Sequence, residues 1–283
     1  MAGVTSREEG RDFRGLFAQE LQLPDAALGL DRAALYLAGE ACPALEPQRY
    51  LDQLDTLAAQ VRDQAGTTTE PEALVRELHH HLFDRLGFTG NPSDYYNPDN
   101  SYLHRVLETR AGIPIALSVV YLEVARRLGV ACRGVGLPGH FVVNVEALGL
   151  YLDPFRGGLL LSAGDCRRLV RDMFGPGVPW QDEFLAPYTK RDIIFRMLTN
   201  LKQIFLGSRE YRRAVTVLEQ MALVNPDAPA LYKELGWCHL RLEQPRLALQ
   251  CLERYLELAA ADEDASLVRQ QVQVLQTALG QGN

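Results

Sequence analysis

Apolar residues recur every three or four positions through the first third of the chain. Phe13, Leu16, Phe17 and Leu21 form one stripe, and Leu51, Leu54, Leu57 and Val61 another. Between them lie Ala33, Leu35, Tyr36 and Leu37, preceded by Asp25 and Asp31, either of which is a candidate helix cap. Leu74, Leu78, Leu82 and Leu86 make a seam that starts behind Pro71 and stops at Gly87. Such spacing places each set on one face of an amphipathic helix. Residues 1–90 therefore read as helical.

Turn-forming residues then crowd the stretch Gly90 to Asn100. Asn100 or Ser101 is a candidate cap for a short helix through Arg110, with Leu103, Val106 and Leu107 inward and Gly112 as its end. Pro114 opens the longest apolar run, Ile113 to Leu128, at a position where a missing N–H costs nothing. Its Ile115, Val119, Leu122 and Ala125 face inward, and Gly129 closes it. Beyond Gly129 the period falls to two. Segments Arg133–Val135, His140–Val145 and Tyr151–Asp153 are expected to pair as an antiparallel sheet against that central helix. Residues 162–190, with Gly175, Pro176, Gly177, Pro179 and Pro187, read as irregular.

From about residue 191 the pattern repeats. Ala214 and Ala248 are 34 positions apart, as are Leu218 and Leu252, Leu201 and Leu235, and Leu198 and Tyr232. Gly236 follows Leu235, and Pro226 closes the first copy. This period and these small residues resemble the tetratricopeptide repeat. The first copy departs from it with Lys202 at a small-residue position, and the second has Ala260 where a Pro would close it. A last helix, Leu267–Leu279, is expected to cover the apolar face of the final repeat. The array is short, so it is expected to pack on the rest of the chain.

Composition narrows the function classes. The chain has 283 residues, 23% of them charged and 47% hydrophobic, which is globular. The run Ile113–Leu128 carries Glu123, Arg126 and Arg127, so it does not read as a membrane span. The N-terminus lacks an apolar stretch, so no signal peptide is expected. A net charge of −7 argues against nucleic-acid binding. The doublets Arg126-Arg127, Arg167-Arg168 and Arg212-Arg213 read as solvated helix faces. Five cysteines without a CxxC pair fit a reducing cytoplasm. His79, His80 and His81 point about 100° apart on a helix, so they do not converge on one ion. No metal or other cofactor is expected.

The candidate chemistry lies at His140 and Asp153, 13 residues apart, one beginning a strand and one ending the next. A nucleophile needs a base within hydrogen-bond reach and the base needs an orienting group. Neighbouring strands bring these two side chains together. A thiolate would be favoured at the head of the central helix.

Helix, strand with His, strand with Asp-Pro is an order that resembles the transglutaminase-like, papain-related superfamily. Asn97-Pro98-x-Asn100-Ser101-Tyr102-Leu103, Gly112-Ile113-Pro114-Ile115, Gly134 through Phe141 and Leu152-Asp153-Pro154-Phe155 together resemble the SirB1-like proteins. Those join such a core to C-terminal tetratricopeptide repeats. The resemblance implies an α+β fold: a helical N-terminal part (1–90) leading into a papain/transglutaminase-like core (91–188), then an all-α repeat region (189–283). It also implies a Cys at the head of the central helix. Here that place, 15 residues before Gly129, is held by Pro114.

Ser118, one turn deeper, is a tentative replacement nucleophile, although a helical Ser commonly bonds back to a carbonyl. Tyr96, Asn97, Asn100, Tyr102 and Pro114 are expected to line the cleft. Two readings follow. One is a non-catalytic protein- or peptide-binding module that uses the groove and the repeats, in a bacterial cytoplasm. The other is an atypical hydrolase or amide transferase using His140 and Asp153 with Ser118 or water. A metal-dependent hydrolase built on His140, Asp153 and His104 has too few ligands for an ordinary zinc site.

Overall fold

The computed structural model describes residues 11–259 and 263–280. The N-terminal segment read as lacking a signal peptide, up to residue 10, and Ala260 at the repeat's closing position lie outside them.

Helix α1 (Phe13–Gln22) starts where the Asp12 side chain accepts a hydrogen bond from Gly15 N. It packs on α2 (Leu30–Gly39), and α3 (Pro47–Ala65) and α4 (Pro71–His79) follow, each with Pro in its first turn. The seam after Pro71 does not stay α-helical: His80–Arg85 widens into a π-helical turn. That turn buries His81 between Gln60 and Gln64 while His80 pairs with Asp84 on the surface. His79 lies edge-on to Phe83, so the three histidines have three different surroundings.

Two caps differ from the sequence reading. Neither Asp25 nor Asp31 caps α2, whose cap residue Gly29 offers no side chain. Asp31 is buried instead, bonded to Arg127 at 2.6 Å and to Arg126 at 3.4 Å. Likewise neither Asn100 nor Ser101 caps the short helix through Arg110: its cap residue is Tyr102, without a side-chain bond, and both residues lie in the preceding turn Pro98–Ser101, which Asn97 caps by accepting from Asp99 N. Helix α5 (Leu103–Thr109) then ends at Arg110 in the left-handed region, two residues before Gly112. A two-residue strand β1 (Thr89–Gly90) pairs in parallel with β2 (Ala111–Gly112), tying the turn-rich loop to this end.

The central helix α6 (Pro114–Leu128) opens on Pro114 and closes on Gly129 at φ 75°, as the pattern of its ends predicts. Almost all of it is buried. Arg127 does not lie on a solvated face; it bonds Asp31, Asp55 and Glu123. Burial and the neighbouring Asp31 carboxylate push the Glu123 carboxyl up. A four-stranded antiparallel sheet follows: β3 (Cys132–Val135), β4 (Val142–Val145), β5 (Leu150–Asp153) and β6 (Leu159–Leu161), paired in chain order. The β6 edge has no counterpart in the three-strand reading. Val143 and Val145 of β4 and Leu152 of β5 join the α6 core, as period two requires.

Residues 162–190 are not wholly irregular. Helix α7 (Ala163–Phe174) begins with a capping box between Ser162 and Asp165. It covers the other sheet face with Cys166, Leu169 and Val170.

Among the described residues five helices make the C-terminal region: α8 (Lys190–Gly207), α9 (Tyr211–Val224), α10 (Pro229–Arg241), α11 (Pro245–Leu258) and α12 (Ala265–Gly280). Lys202, out of place in a repeat, pairs with Glu234 at 2.8 Å. The repeats do pack on the rest of the chain. Gln220 donates to Leu37 O and to Glu40, and one apolar core runs from Phe13 to Cys238. Among the described residues no helix is long and apolar enough to cross a membrane.

Candidate functional site

His140 is held by a tight turn rather than by a strand. Its N–H donates to Leu137 O at 3.1 Å, across Pro138 and Gly139. Pro at the second position and a glycine at φ 67° at the third is the residue pattern of a type II turn. Strand β4 begins two residues later, so His140 precedes the strand that the sequence reading had it begin. Register explains why it still meets Asp153. Val143 pairs with Leu152; one further step puts Val142 opposite Asp153, and His140 is a diagonal neighbour within reach of a long side chain.

Asp153 ends β5 and caps the turn Pro154–Arg156. Its Oδ1 accepts from Phe155 N at 3.0 Å and Arg156 N at 3.3 Å, while Oδ2 lies 2.8 Å from His140 Nε2. The carboxylate is fully buried and the imidazole nearly so. A carboxylate only accepts, so Nε2 carries the proton in this bond. Nδ1 has no hydrogen-bond partner among the described residues.

His140 lines an open cavity of about 750 Å³. One wall comes from the loop before α5 and from the turn after β5: Tyr95, Tyr96 and Phe155. Phe155 stands edge-on to His140 with ring centroids 6.1 Å apart, and Tyr95 edge-on to Phe155 at 5.8 Å. Gly90 admits that ring: a Cβ there would sit 2.4 Å from it. A second part of the lining is Arg196, Thr199, Asn200 and Gln203, one face of α8 at i, i+3, i+4 and i+7. Pro114 also lines this cavity, so the head of α6 opens onto it.

Of the cleft residues expected from sequence, Tyr96 and Pro114 line this cavity together with His140. Asn97 and Asn100 do not. Asn97 caps its turn, and Asn100 is buried, donating to Asp94 O at 2.6 Å and receiving a bond from Asn91. Their amides serve the backbone that needed them. Tyr102 faces elsewhere, lining a separate cavity of about 280 Å³ with Arg213 and Gln220. Ser118 is fully buried, and its hydroxyl donates to Pro114 O at 2.8 Å. Thr199, the one aliphatic hydroxyl lining the cavity among the described residues, donates likewise to Phe195 O at 2.9 Å.

The thiols are elsewhere. Cys132 lines another cavity, of about 520 Å³, which no histidine lines. Burial pushes the thiols of Cys132 and Cys166 up to about 12. His104 shares no site with His140: it lies against Tyr50 and Tyr102, and burial lowers its imidazole pKa.

Sequence reasoning missed Phe155 and Arg156 as cavity residues, although both follow the Asp-Pro motif directly. It missed the α8 wall entirely. The signal there was a polar 3.6-period face, which reads as a solvated one.

A helix head, a histidine from a turn, an aspartate at a strand end and helical repeats beyond define a transglutaminase-like core joined to tetratricopeptide helices. Comparison with known proteins agrees: the family model of the transglutaminase-like superfamily matches residues 48–199, and a tetratricopeptide repeat model matches residues 201–273. The chain belongs to the transglutaminase-like superfamily.

Within it the chain is SirB1-like. It is 34% identical to a UPF0162 protein of Xylella fastidiosa over 87% of this chain and 89% of that one. Protein SirB1 of Salmonella typhimurium is 22% identical over 85% of this chain and 91% of its own. F-box only protein 21 of Homo sapiens is 36% identical over 46% of this chain and 21% of its length. No solved structure matches the chain.

Proposed function

We propose that this protein is a non-catalytic binding or regulatory module of a bacterial cytoplasm. The observation that carries this reading is Pro114. It stands where the superfamily resemblance puts the thiol, and it lines the same cavity as His140. A pyrrolidine ring has no nucleophile, and the nearby aliphatic hydroxyls of Ser118 and Thr199 are both spent on their own helices. What remains is a pocket with aromatic and polar walls, next to helical repeats of a kind that commonly present peptide-binding surfaces. The five free cysteines fit a reducing compartment.

A second reading has its own observation. His140 Nε2 is anchored on Asp153, and Nδ1 is left without a partner among the described residues. That is how a general base is held, so an atypical hydrolase or amide transferase would use water in place of the thiol.

One experiment separates the two. The full chain and its His140→Ala variant are incubated with a mixed peptide library, and mass spectrometry reads both the bound set and any products. Peptides that bind and return intact from both proteins support the module. Cleaved or cross-linked peptides that vanish with His140→Ala refute it and establish the enzyme.

A further inference from the structure

The walls of the His140 cavity carry an electrostatic signature opposite to that of the whole molecule. The chain bears a net charge of −7. Yet Arg156 and Arg196 line the cavity, and no Asp or Glu does. Asp153 lies beneath it, fully buried and already engaged by His140 and two backbone N–H groups. Arg156 is half exposed, with only a 3.6 Å approach to that carboxylate. Arg196 has no ion pair or hydrogen bond among the described residues. Arg127, by contrast, is paired with three acids. Arg196 has no acidic partner among the described residues, and Arg156 shares the single Asp153 carboxylate with His140, so the concavity keeps an excess of positive charge that welcomes an anion. The positive end of the α6 dipole, opening at Pro114, adds to the same field.

The remaining lining is that of a groove for extended chain. Asn200 and Gln203 offer amide groups that make no intramolecular hydrogen bond among the described residues, suited to peptide N–H and C=O groups. Tyr96 and Met173 line the cavity at 76% and 42% exposure, and Phe174, beside Met173, is 45% exposed. Phe174 lies against Gly139, next to His140. Large exposed apolar groups beside a cationic concavity make an amphipathic site.

We propose that this groove docks an acidic, extended segment of a partner protein, with its carboxylates on Arg156 and Arg196 and its apolar residues on Tyr96, Met173 and Phe174. The proposal rests on the binding-module reading and names the chemistry of its ligand. It also gives α8 a use: the turn after β5 supplies Arg156, and α8, the helix in which the two family matches meet, supplies Arg196.

The test uses the full chain and isothermal titration calorimetry with nine-residue peptides. They share one apolar frame and carry Glu, Gln, Lys or phosphoserine at three positions. The Glu peptide is expected to bind at least tenfold tighter than the Gln peptide, and the Lys peptide not at all. Arg196→Gln, which removes no intramolecular bond, should weaken the Glu peptide about tenfold and leave the Gln peptide unchanged. Arg254→Gln, on α11, should change neither. Equal binding of Glu and Gln peptides, or indifference to Arg196→Gln, overturns the acidic ligand while leaving a binding module in place. Phosphoserine binding tighter than Glu overturns the choice of carboxylate. Turnover of any peptide that depends on His140 refutes the binding-module reading itself, whatever the charge preference.

Discussion

The His140–Asp153 pair makes a sharp prediction about stability, because Asp153 does several jobs at once. Its buried carboxylate receives Phe155 N, Arg156 N and His140 Nε2. Asp153→Ala strands all three donors. A hydrogen bond to a charged group contributes about 1.5–3 kcal/mol, a helix-type cap about 1, and removal of one member of a buried pair about 3–5. These costs overlap rather than add, so the expected loss for Asp153→Ala is about 3–5 kcal/mol. Asp153→Asn keeps the cap oxygen and the shape, and is expected to cost about 1–2 kcal/mol.

A double-mutant cycle with His140→Ala isolates the contact between the two side chains. A coupling of about 1–3 kcal/mol is expected for a buried, charge-assisted bond. Urea unfolding followed by circular dichroism supplies the numbers, with changes in midpoint converted at constant slope. Tryptophan fluorescence from Trp180 and Trp237 reports the core and the repeats respectively. Trp180 packs on the separate cluster under α7 and Trp237 is exposed on α10, but the continuous apolar core from Phe13 to Cys238 joins the helices around them, so the two signals should coincide. A coupling under about 0.5 kcal/mol would refute the claim that this bond pins the turn before β4 to the end of β5.

Two further predictions follow from the packing. Gly236→Val should destabilise the repeats by about 1–3 kcal/mol despite the better helix propensity of the new residue, because its Cβ meets Leu252 at 2.6 Å; the Trp237 fluorescence midpoint would show it, and an unchanged midpoint would contradict the crossing geometry. Burial lowers the imidazole pKa values of His79, His81 and His104 below the ordinary 6.5. Below that pH the unfolded chain takes up protons that the folded chain refuses, so stability should fall as pH drops through 6.5 toward the lowered values. Each imidazole contributes a slope of at most about 1.4 kcal/mol per pH unit. The raised Glu123 carboxyl acts in the opposite sense, since the folded chain takes up its proton first. His81→Gln should flatten the slope between pH 6.5 and 5.5 in urea titrations, and an unaltered slope would show that His81 titrates freely.

Much of the fold was legible in the residues. The stripes in α1, α3 and α6 predict helices that the structure contains, within a residue or two at their ends. The period of 34 predicts the paired helices α8 to α11, and period two predicts β3 to β5. Local chemistry was harder to assign. Asn97, Asn100 and Ser101 all suit a turn, and only the path of the backbone decides which one caps it. Helix α7 was missed because the Gly and Pro residues after it dominated the reading of 162–190, although Ser162 and Asp165 already carried a capping box. Arg127 looks like any arginine of a solvated doublet; Asp31, 96 residues earlier, makes it a buried one.

The chain by itself determined which residues are helical, that a histidine and an aspartate flank two strands, and that Pro114 heads the central helix. These follow from neighbours within a turn or a strand, where spacing alone fixes direction. Only the tertiary structure decided what those residues face. The register between β4 and β5 brings His140 to Asp153, and the docking of α8 against the core brings Arg196 and Asn200 into one cavity with Tyr95 and Phe155. A periodic stripe says that a helix has a buried face and a polar one. It does not say whether the polar face meets water or closes a cleft, because that depends on packing between segments about a hundred residues apart in the chain.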